Sequence, residues 1–270
     1  MMSEWPATPY SVQQLIGEIH TLDLPLPVPD AAHWLALGLE QDRPAALALL
    51  LQSIETLARA LQGGSDSADT RAQAGAGAGP ATGADLLRSC MIRGLTAQAI
   101  ARRCPLADVG PLCGIGMLAD IGHLLLRHLL PQATAQALRL ARTSDVALHR
   151  LQRRLLGFDF AEAGAALALS WALPDRHALV IGAQTDPRLA GRHQTEARII
   201  ALAGLIVEHE LIGAAAADTA ATAGLASWWS ALGLDARCLH AVHAEVCAGL
   251  DGALSAVQAF ILHDEAAIAG

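Results

Sequence analysis

Apolar residues recur at intervals of three and four along most of the chain, which is the period of helices that bury one face against a core. The stripe that follows Pro44 is the clearest, and it comprises Leu47, Leu50, Leu51, Ile54, Leu57 and Leu61. The same period predicts helices over residues 11–20, 30–39, 86–104, 111–130, 132–143, 145–156, 159–171, 194–213 and 235–262. Only 3% of the residues are aromatic, which argues against a β-sandwich or barrel. The pattern therefore predicts an all-α protein.

Individual residues mark where some of these helices begin and end. Gly157 is a natural C-terminal stop, because glycine tolerates the left-handed conformation that often follows a helix. Asp159, with Glu162 three residues later, has the spacing of a capping box that opens the next helix. Ser144 or Asp145 can cap the helix that ends before Gly157.

Two segments break the helical pattern. Leu24–Pro29 alternates leucine or valine with proline, and each proline disfavours helix at the residue before it, so this stretch is predicted to be extended. Residues 65–83 contain no large apolar side chain. Such a segment cannot bury enough surface to offset its ordering entropy, which predicts a flexible insertion.

The composition and the cysteine content indicate the compartment in which the protein is expected. The chain has 270 residues, of which 53% are apolar and 16% charged, and it contains no lysine, so every side-chain cation apart from histidine is arginine. The five cysteines are odd in number and form no Cys-x-x-Cys, which favours reduced thiols over a disulfide framework. No signal peptide is visible, and no apolar run reaches the roughly 18 residues that a membrane helix needs. We expect a cytoplasmic protein that does not contact a membrane.

The charge is distributed unevenly. The net charge of −8 argues against non-specific nucleic-acid binding, but residues 88–154 hold ten arginines and three aspartates, a local balance of +7, against −15 elsewhere. Within this block, helical spacing places two groups of arginines on the sides of neighbouring helices. They are Arg139 and Arg142, and Arg150, Arg153 and Arg154. They are predicted to form a surface for an acidic partner or an anionic ligand. The alternative is that they are solvated or pair with carboxylates of the same chain.

Common nucleotide and hydrolase motifs are missing. A Walker A loop requires a lysine, and no Gly-x-Ser-x-Gly elbow occurs. Gly114-Ile115-Gly116 resembles the start of a dinucleotide fingerprint, but no strand is predicted before it.

Three short motifs carry a resemblance to a known family. Residues 116–122 read GMLADIG, residues 155–165 read LLGFDFAEAGA, and residues 171–174 read WALP. They closely resemble the HDOD family, in which these stretches read roughly GLLHDIGxLxL, LGxDHAEVGA and WxLP. Upstream, residues 86–90 align with the family's L-W-x-H-S. The resemblance is strong over 84–187, weaker over 22–62 and absent from the insertion.

The resemblance implies a multi-helix, HD-like bundle with three parts. They are an N-terminal segment at 1–21, an HDOD-like helical domain at 22–210 that contains the insertion, and a C-terminal helical extension at 211–270.

HDOD domains resemble the metal-dependent HD phosphohydrolases, in which imidazole and carboxylate ligands converge on one or two metals. The corresponding positions in this chain are Ser89, Ala119, Asp120, Gln184 and Thr185. Only Asp120 keeps the chemistry of a ligand, and one carboxylate cannot assemble a catalytic metal site. The resemblance therefore implies a vestigial site with no catalytic residue, metal or cofactor.

The resemblance also implies a function, which is a non-catalytic regulatory or scaffolding role in bacterial signal transduction through signalling protein partners. The alternative is a sensor that binds an anionic nucleotide such as cyclic di-GMP in the vestigial pocket. A metal-dependent phosphohydrolase with rearranged ligands is the least favoured reading.

Two features near the C-terminus leave alternatives open. His240, His243 and Cys247 share one helical face at spacings that zinc ligands use, although a half-exposed polar flank is the favoured reading. Trp228-Trp229 forms either an exposed aromatic anchor for a partner or a pair of indoles covered by a loop, and buried indoles are more common.

Overall fold

The computed structural model describes residues 11–21, 51–52, 54–56, 58, 83–212, 228–235, 237–250, 252 and 255. All regular secondary structure in these residues is helical, so the predicted all-α fold is confirmed. The insertion predicted at 65–83 lies outside the described residues except for Gly83, as do the extended segment 24–29 and the helix predicted at 30–39.

Within the described residues, helices lie at Val12–Thr21 (α1), Gly83–Ala101 (α2), Leu112–Leu118 (α3), Ile121–Leu129 (α4) and Pro131–Thr143 (α5). The next four are Leu148–Leu156 (α6), Phe160–Ser170 (α7), Asp175–Gly182 (α8) and Gln194–Ile212 (α9), with a 3-10 helix at Pro187–His193 before α9. Residues 228–231 form a short helical turn and residues 237–250 a helix, which we call α10. The described positions 51–58 are also helical, and Leu51 and Ile54 are buried as their stripe predicts.

The core lies where α2 packs against α3 and α9, and where α7 packs against α4, α8 and α1. Glycine allows the closest of these approaches. A Cβ atom at Gly122 of α4 would lie 1.9 Å from the Phe160 carbonyl oxygen of α7, and one at Gly94 of α2 would lie 2.7 Å from the Cys113 carbonyl oxygen of α3. Neither backbone can give way cheaply, so these helices cross at distances that only glycine permits.

The helix predicted over 111–130 is in fact two helices, which separate at Ala119 and Asp120. The Ala119 carbonyl accepts a hydrogen bond from the Gln184 side chain at 2.7 Å, and the His123 amide, which would continue an α-helix by donating to Ala119, donates to the Asp120 carbonyl instead. A long-range side-chain contact thus ends α3, and Asp120 sits in the turn.

The caps were predicted in part. Asp159 and Glu162 form the predicted capping box before α7, and Gly157 ends α6 at φ +90°. The predicted cap of α6 by Ser144 or Asp145 is wrong, because α6 begins after Ala147 without a side-chain cap. Ser144 instead donates to the Leu140 carbonyl at 2.7 Å and closes the end of α5.

One described window, Leu112–Leu129, is long enough and apolar enough on average to cross a membrane, although it contains Asp120 and Arg127. The window spans α3 and α4, and 72% of it is buried inside the fold. Core helices of soluble proteins pass the same test, so the window is weak evidence of a membrane span.

Candidate functional site

The five vestigial positions come from three parts of the fold. Ser89 lies on α2, Ala119 and Asp120 lie in the turn between α3 and α4, and Gln184 and Thr185 follow α8. The structure brings Ala119, Asp120 and Gln184 together, and a residue that the sequence analysis did not single out joins them.

That residue is Arg93, which lies one helical turn after Ser89 and is only 4% exposed. Its Nη1 pairs with the Asp120 carboxylate, and its Nη2 donates to the Gln184 side-chain oxygen. Nη2 also lies 3.3 Å from the Ile200 carbonyl oxygen of α9. Gln184 in turn donates to the Ala119 carbonyl. We call Arg93, Asp120 and Gln184 the inner cluster.

Glycine at position 204 makes room for this guanidinium. A Cβ atom at Gly204 of α9 would lie 2.7 Å from Arg93 Nη2 and 2.9 Å from Cζ, closer than such atoms approach in folded proteins. The inner cluster is therefore closed on the α9 side by backbone that has no side chain at the point of contact.

The electrostatics of the inner cluster favour an ionised Asp120. Partial burial acts to raise the pKa of the Asp120 carboxyl, but the positive charge of Arg93 outweighs it and holds that pKa below its usual range. The neighbouring imidazole of His123 behaves differently, since burial is the main cause that lowers its pKa to about 4. At neutral pH, His123 is therefore uncharged, and its ring stacks on Phe160 with centroids 3.9 Å apart.

A second group of side chains consists of Asp159, Arg153, Glu162 and Thr185, and we call it the outer cluster. The fully buried Asp159 carboxylate caps α7, accepts from the Thr185 hydroxyl at 2.9 Å and lies 3.1 Å from Arg153 Nε. Arg153 also lies 3.3 Å from a Glu162 oxygen. The Arg153 side chain is only 36% exposed. Although the sequence predicts it as a surface residue, its guanidinium contacts Asp159 and Glu162 of the same chain.

The predicted arginine surface divides in the structure. The helices α5 and α6 pack together, as their short connection predicts. Arg139, Arg142, Arg150 and Arg154 are exposed on them. Of the five arginines of the predicted surface, Arg150 and Arg153 line a cleft of about 460 Å³. This cleft lies between α6, the 3-10 helix, α9 and the turn at 228–231. We call this feature the basic cleft, because Arg188 and Arg198 complete its wall.

The structure also bears on the two open alternatives near the C-terminus. His240, His243 and Cys247 are exposed on α10, and the Cys247 sulfur lies 3.8 Å from both His243 ring nitrogens. No group of three or more metal-binding side chains occurs within the described part of the chain. Trp229 is buried and its indole donates to the Asp235 carbonyl, whereas the partly exposed Trp228 lines the basic cleft.

Sequence reasoning missed Arg93, Arg188 and Arg198 as site residues. Arg93 had a usable signal, since it follows Ser89 by four residues and so lies on the same face of α2. Arg188 and Arg198 lie outside the basic block, and their approach to α6 depends on the tertiary fold.

Comparison with known proteins identifies a domain within the chain. The HDOD domain model matches residues 76–187, which contain all five vestigial positions, Arg93 and the outer cluster. The prediction of an HDOD domain is confirmed for these matched residues. No curated protein matches the sequence significantly.

Solved structures share the fold at low sequence identity. A protein from Shewanella amazonensis SB2B, provisionally named a phosphohydrolase, is 19% identical with a TM-score of 0.57 over 90% of this chain and 97% of that one. An HDOD domain protein of unknown function from Geobacter sulfurreducens is 17% identical, with a TM-score of 0.52 over 96% and 94%. A protein from Marinobacter aquaeolei VT8, provisionally named a signal transduction protein, is 19% identical, with a TM-score of 0.58 over 92% and 64%.

Proposed function

We propose that this chain is a non-catalytic regulatory HDOD protein that acts through protein partners in bacterial signal transduction in the cytoplasm. The observation that carries the proposal is the guanidinium of Arg93 at the vestigial site. It binds the one remaining carboxylate, Asp120, and the Gln184 amide that replaces an imidazole.

A guanidinium in this place opposes metal binding in two ways. Arginine stays protonated at any physiological pH, so a divalent cation beside Asp120 would meet a fixed positive charge. One oxygen of the Asp120 carboxylate is engaged by Arg93, and the Gln184 oxygen accepts from the same guanidinium. The side chains at Ser89, Ala119 and Thr185 offer no imidazole or carboxylate in their place.

The solved relatives support the fold but divide on activity. One carries a provisional phosphohydrolase name and another a provisional signal transduction name. The chemistry of the inner cluster favours the second for this chain, because hydrolysis of a phosphodiester by an HD-type site needs a metal that activates water.

Metal analysis and an activity assay test the non-catalytic part of the proposal. The purified chain is incubated with Mn²⁺, Fe²⁺ or Zn²⁺, desalted and analysed, then assayed with cyclic di-GMP and a chromogenic phosphodiester. We expect no stoichiometric metal and no turnover above buffer. About one metal per chain, with turnover that Asp120→Ala abolishes, would refute the proposal.

Co-purification from the native host tests the regulatory part. Tagged wild-type chain is compared with a tag-only control, and captured proteins are identified by mass spectrometry. We expect reproducible enrichment of signalling proteins such as kinases, receiver-domain proteins or nucleotide cyclases. Enrichment of none of these classes would count against action through signalling partners.

A further inference from the structure

The basic cleft has the size and composition of a small-molecule site. Its volume of about 460 Å³ falls in the range of roughly 300–1,000 Å³ that is typical of ligand pockets. Its wall combines four guanidinium groups with one indole, and it opens beside the outer cluster through Arg153 and Thr185. The basic cleft is distinct from the inner cluster, because none of Arg93, Asp120 and Gln184 lines it.

The charges of the cleft are not balanced. Arg188 is matched by Asp186, with both nitrogen–oxygen distances at 2.8 Å, and Arg153 is matched by the outer cluster. Arg150 and Arg198 make no ion pair with a carboxylate of the described residues. Among the described residues, two guanidinium groups therefore face the cleft without a carboxylate partner, and Asp186 is the single acidic residue of the described lining.

Guanidinium groups that line a cleft without a carboxylate partner are suited to bind the oxygens of a phosphoryl group. The planar fork of arginine presents two parallel N–H donors that match the oxygens of a phosphoryl group, and charge-assisted bonds of this kind are stronger than neutral ones. Arg150 on α6 and Arg198 on α9 reach this cleft from two different helices.

The indole adds a second element of recognition. Trp228 is partly exposed on the wall of the cleft, while its neighbour Trp229 is buried and anchored by its hydrogen bond to the Asp235 carbonyl. A partly exposed indole is a common platform for stacking a nucleobase.

We propose that the basic cleft binds a nucleoside phosphate, with the phosphate held by Arg150 and Arg198 and the base against Trp228. This site goes beyond the proposed regulatory function and does not depend on which proteins the chain contacts. It also places the nucleotide away from the inner cluster, since Thr185 is the one vestigial position that lines the cleft.

Titration calorimetry with the full chain tests the site, using AMP, GMP, ribose 5-phosphate and inorganic phosphate as separate titrants at low salt. We expect saturable one-to-one binding of at least one of the nucleotides. Ribose 5-phosphate and phosphate should bind at least fivefold more weakly, because neither carries a base. Affinity should fall as salt is raised, as for any site built on guanidinium–phosphate pairs.

Three variants locate the site. Arg150→Ala and Arg198→Ala should each weaken nucleotide binding at least tenfold, and Trp228→Leu should weaken nucleotide binding at least fivefold while changing phosphate binding less than twofold. Arg154→Ala is the matched control, because Arg154 is exposed on α6 but does not line the cleft. It should bind like the wild type. Circular dichroism melts of each variant confirm folding, and the surface position of Arg150 makes it the variant that is safest to interpret.

Three results would overturn the proposal. The first is absence of saturable binding by any of the four titrants. The second is nucleotide binding that survives both arginine substitutions. The third is equal affinity for nucleotides and ribose 5-phosphate with no effect of Trp228→Leu, which would show that the cleft recognises phosphate without a base.

Discussion

The inner cluster and the basic cleft both depend on arginine, yet they place it in opposite situations. Arg93 is almost completely buried and has a carboxylate, an amide oxygen and a backbone carbonyl as partners within the chain. Arg150 is exposed and Arg198 partly exposed, and neither has a carboxylate partner among the described residues. The difference separates an arginine that holds the fold from arginines that are available to a ligand.

Desolvation explains why the two situations differ. Removing a guanidinium from water costs several kcal/mol, and only near-complete internal pairing offsets that cost. A guanidinium at the surface keeps its hydration and has no such requirement, so it can exchange water for a ligand's phosphate. The burial and the internal partners of an arginine therefore indicate whether it stabilises the fold or can bind a ligand.

The largest expected effect comes from removing the internal cation. Arg93→Ala leaves Asp120 and Gln184 without their donor and should lower the free energy of unfolding by about 3 kcal/mol, near the low end for broken buried pairs because Asp120 is 39% exposed. Urea denaturation followed by circular dichroism measures the change. Arg139→Ala, an exposed arginine on α5, is the matched control and should change stability by less than about 0.5 kcal/mol. A loss below about 1 kcal/mol in Arg93→Ala would show that the inner cluster is not a stabilising element.

The second largest effect is a loss of stability in mild acid, which we expect from His123 beside the inner cluster. An unfolded histidine binds a proton as pH falls below about 6.5, whereas folded His123 resists protonation until about pH 4. Between these values the unfolded state binds more protons, so stability decreases as pH falls, by about 1–3 kcal/mol. Urea midpoints between pH 7 and pH 4.5 measure the slope.

His123→Phe provides the control for this pH effect, because a phenyl ring keeps an aromatic partner for Phe160 but cannot bind a proton. We expect a flatter pH dependence in the variant between pH 6.5 and pH 4. Asp120 contributes in the same direction only at lower pH, since its pKa lies below the usual carboxyl range and its ion pair is lost as pH falls through that value. An unchanged slope in His123→Phe would assign the acid sensitivity to other groups.

A smaller effect is expected at the wall that the outer cluster shares with the basic cleft. Thr185→Val keeps the shape of the side chain but removes its hydrogen bond to the buried Asp159 carboxylate. Loss of a bond to a charged group should lower the free energy of unfolding by about 1–2 kcal/mol. Thr185→Ser, which retains the hydroxyl, should recover most of the stability. Equal losses in the two variants would show that the methyl group rather than the hydrogen bond matters.

The smallest effect on stability is expected at the predicted partner surface outside the cleft. Replacing Arg139, Arg142 and Arg154 with glutamate should change stability by less than about 0.5 kcal/mol but weaken partner capture at least tenfold, about 1.4 kcal/mol. Arg150 and Arg153 are left intact, because one lines the cleft and the other is paired internally. Quantitative mass spectrometry of captured partners measures the effect. Normal capture by the triple variant would show that these arginines do not contact the partner.

Features governed by neighbouring residues were predictable from the sequence. The capping box at Asp159, the stop at Gly157 and most helix bounds follow from local spacing, and the structure confirms them. The order of the HDOD motifs identified the family, because those motifs are defined by sequence.

Features governed by distant residues were not predictable. The break between α3 and α4 depends on Gln184, which lies 65 residues from the Ala119 carbonyl it binds. Arg93 was counted within a basic block, although its partners come from three other parts of the chain. The basic cleft likewise requires Arg198 and Trp228 to approach α6 across more than forty residues of sequence.

The guanidinium of Arg93 also constrains how the chain can evolve. Restoring histidines at positions 119 and 184 would not by itself recreate a metal site, since both positions belong to the group of residues around the buried guanidinium. Replacing Arg93 first would remove the partner of Asp120 and Gln184 before any metal could compensate. While Arg93 is present, each single substitution towards an HD-type metal site is therefore unfavourable.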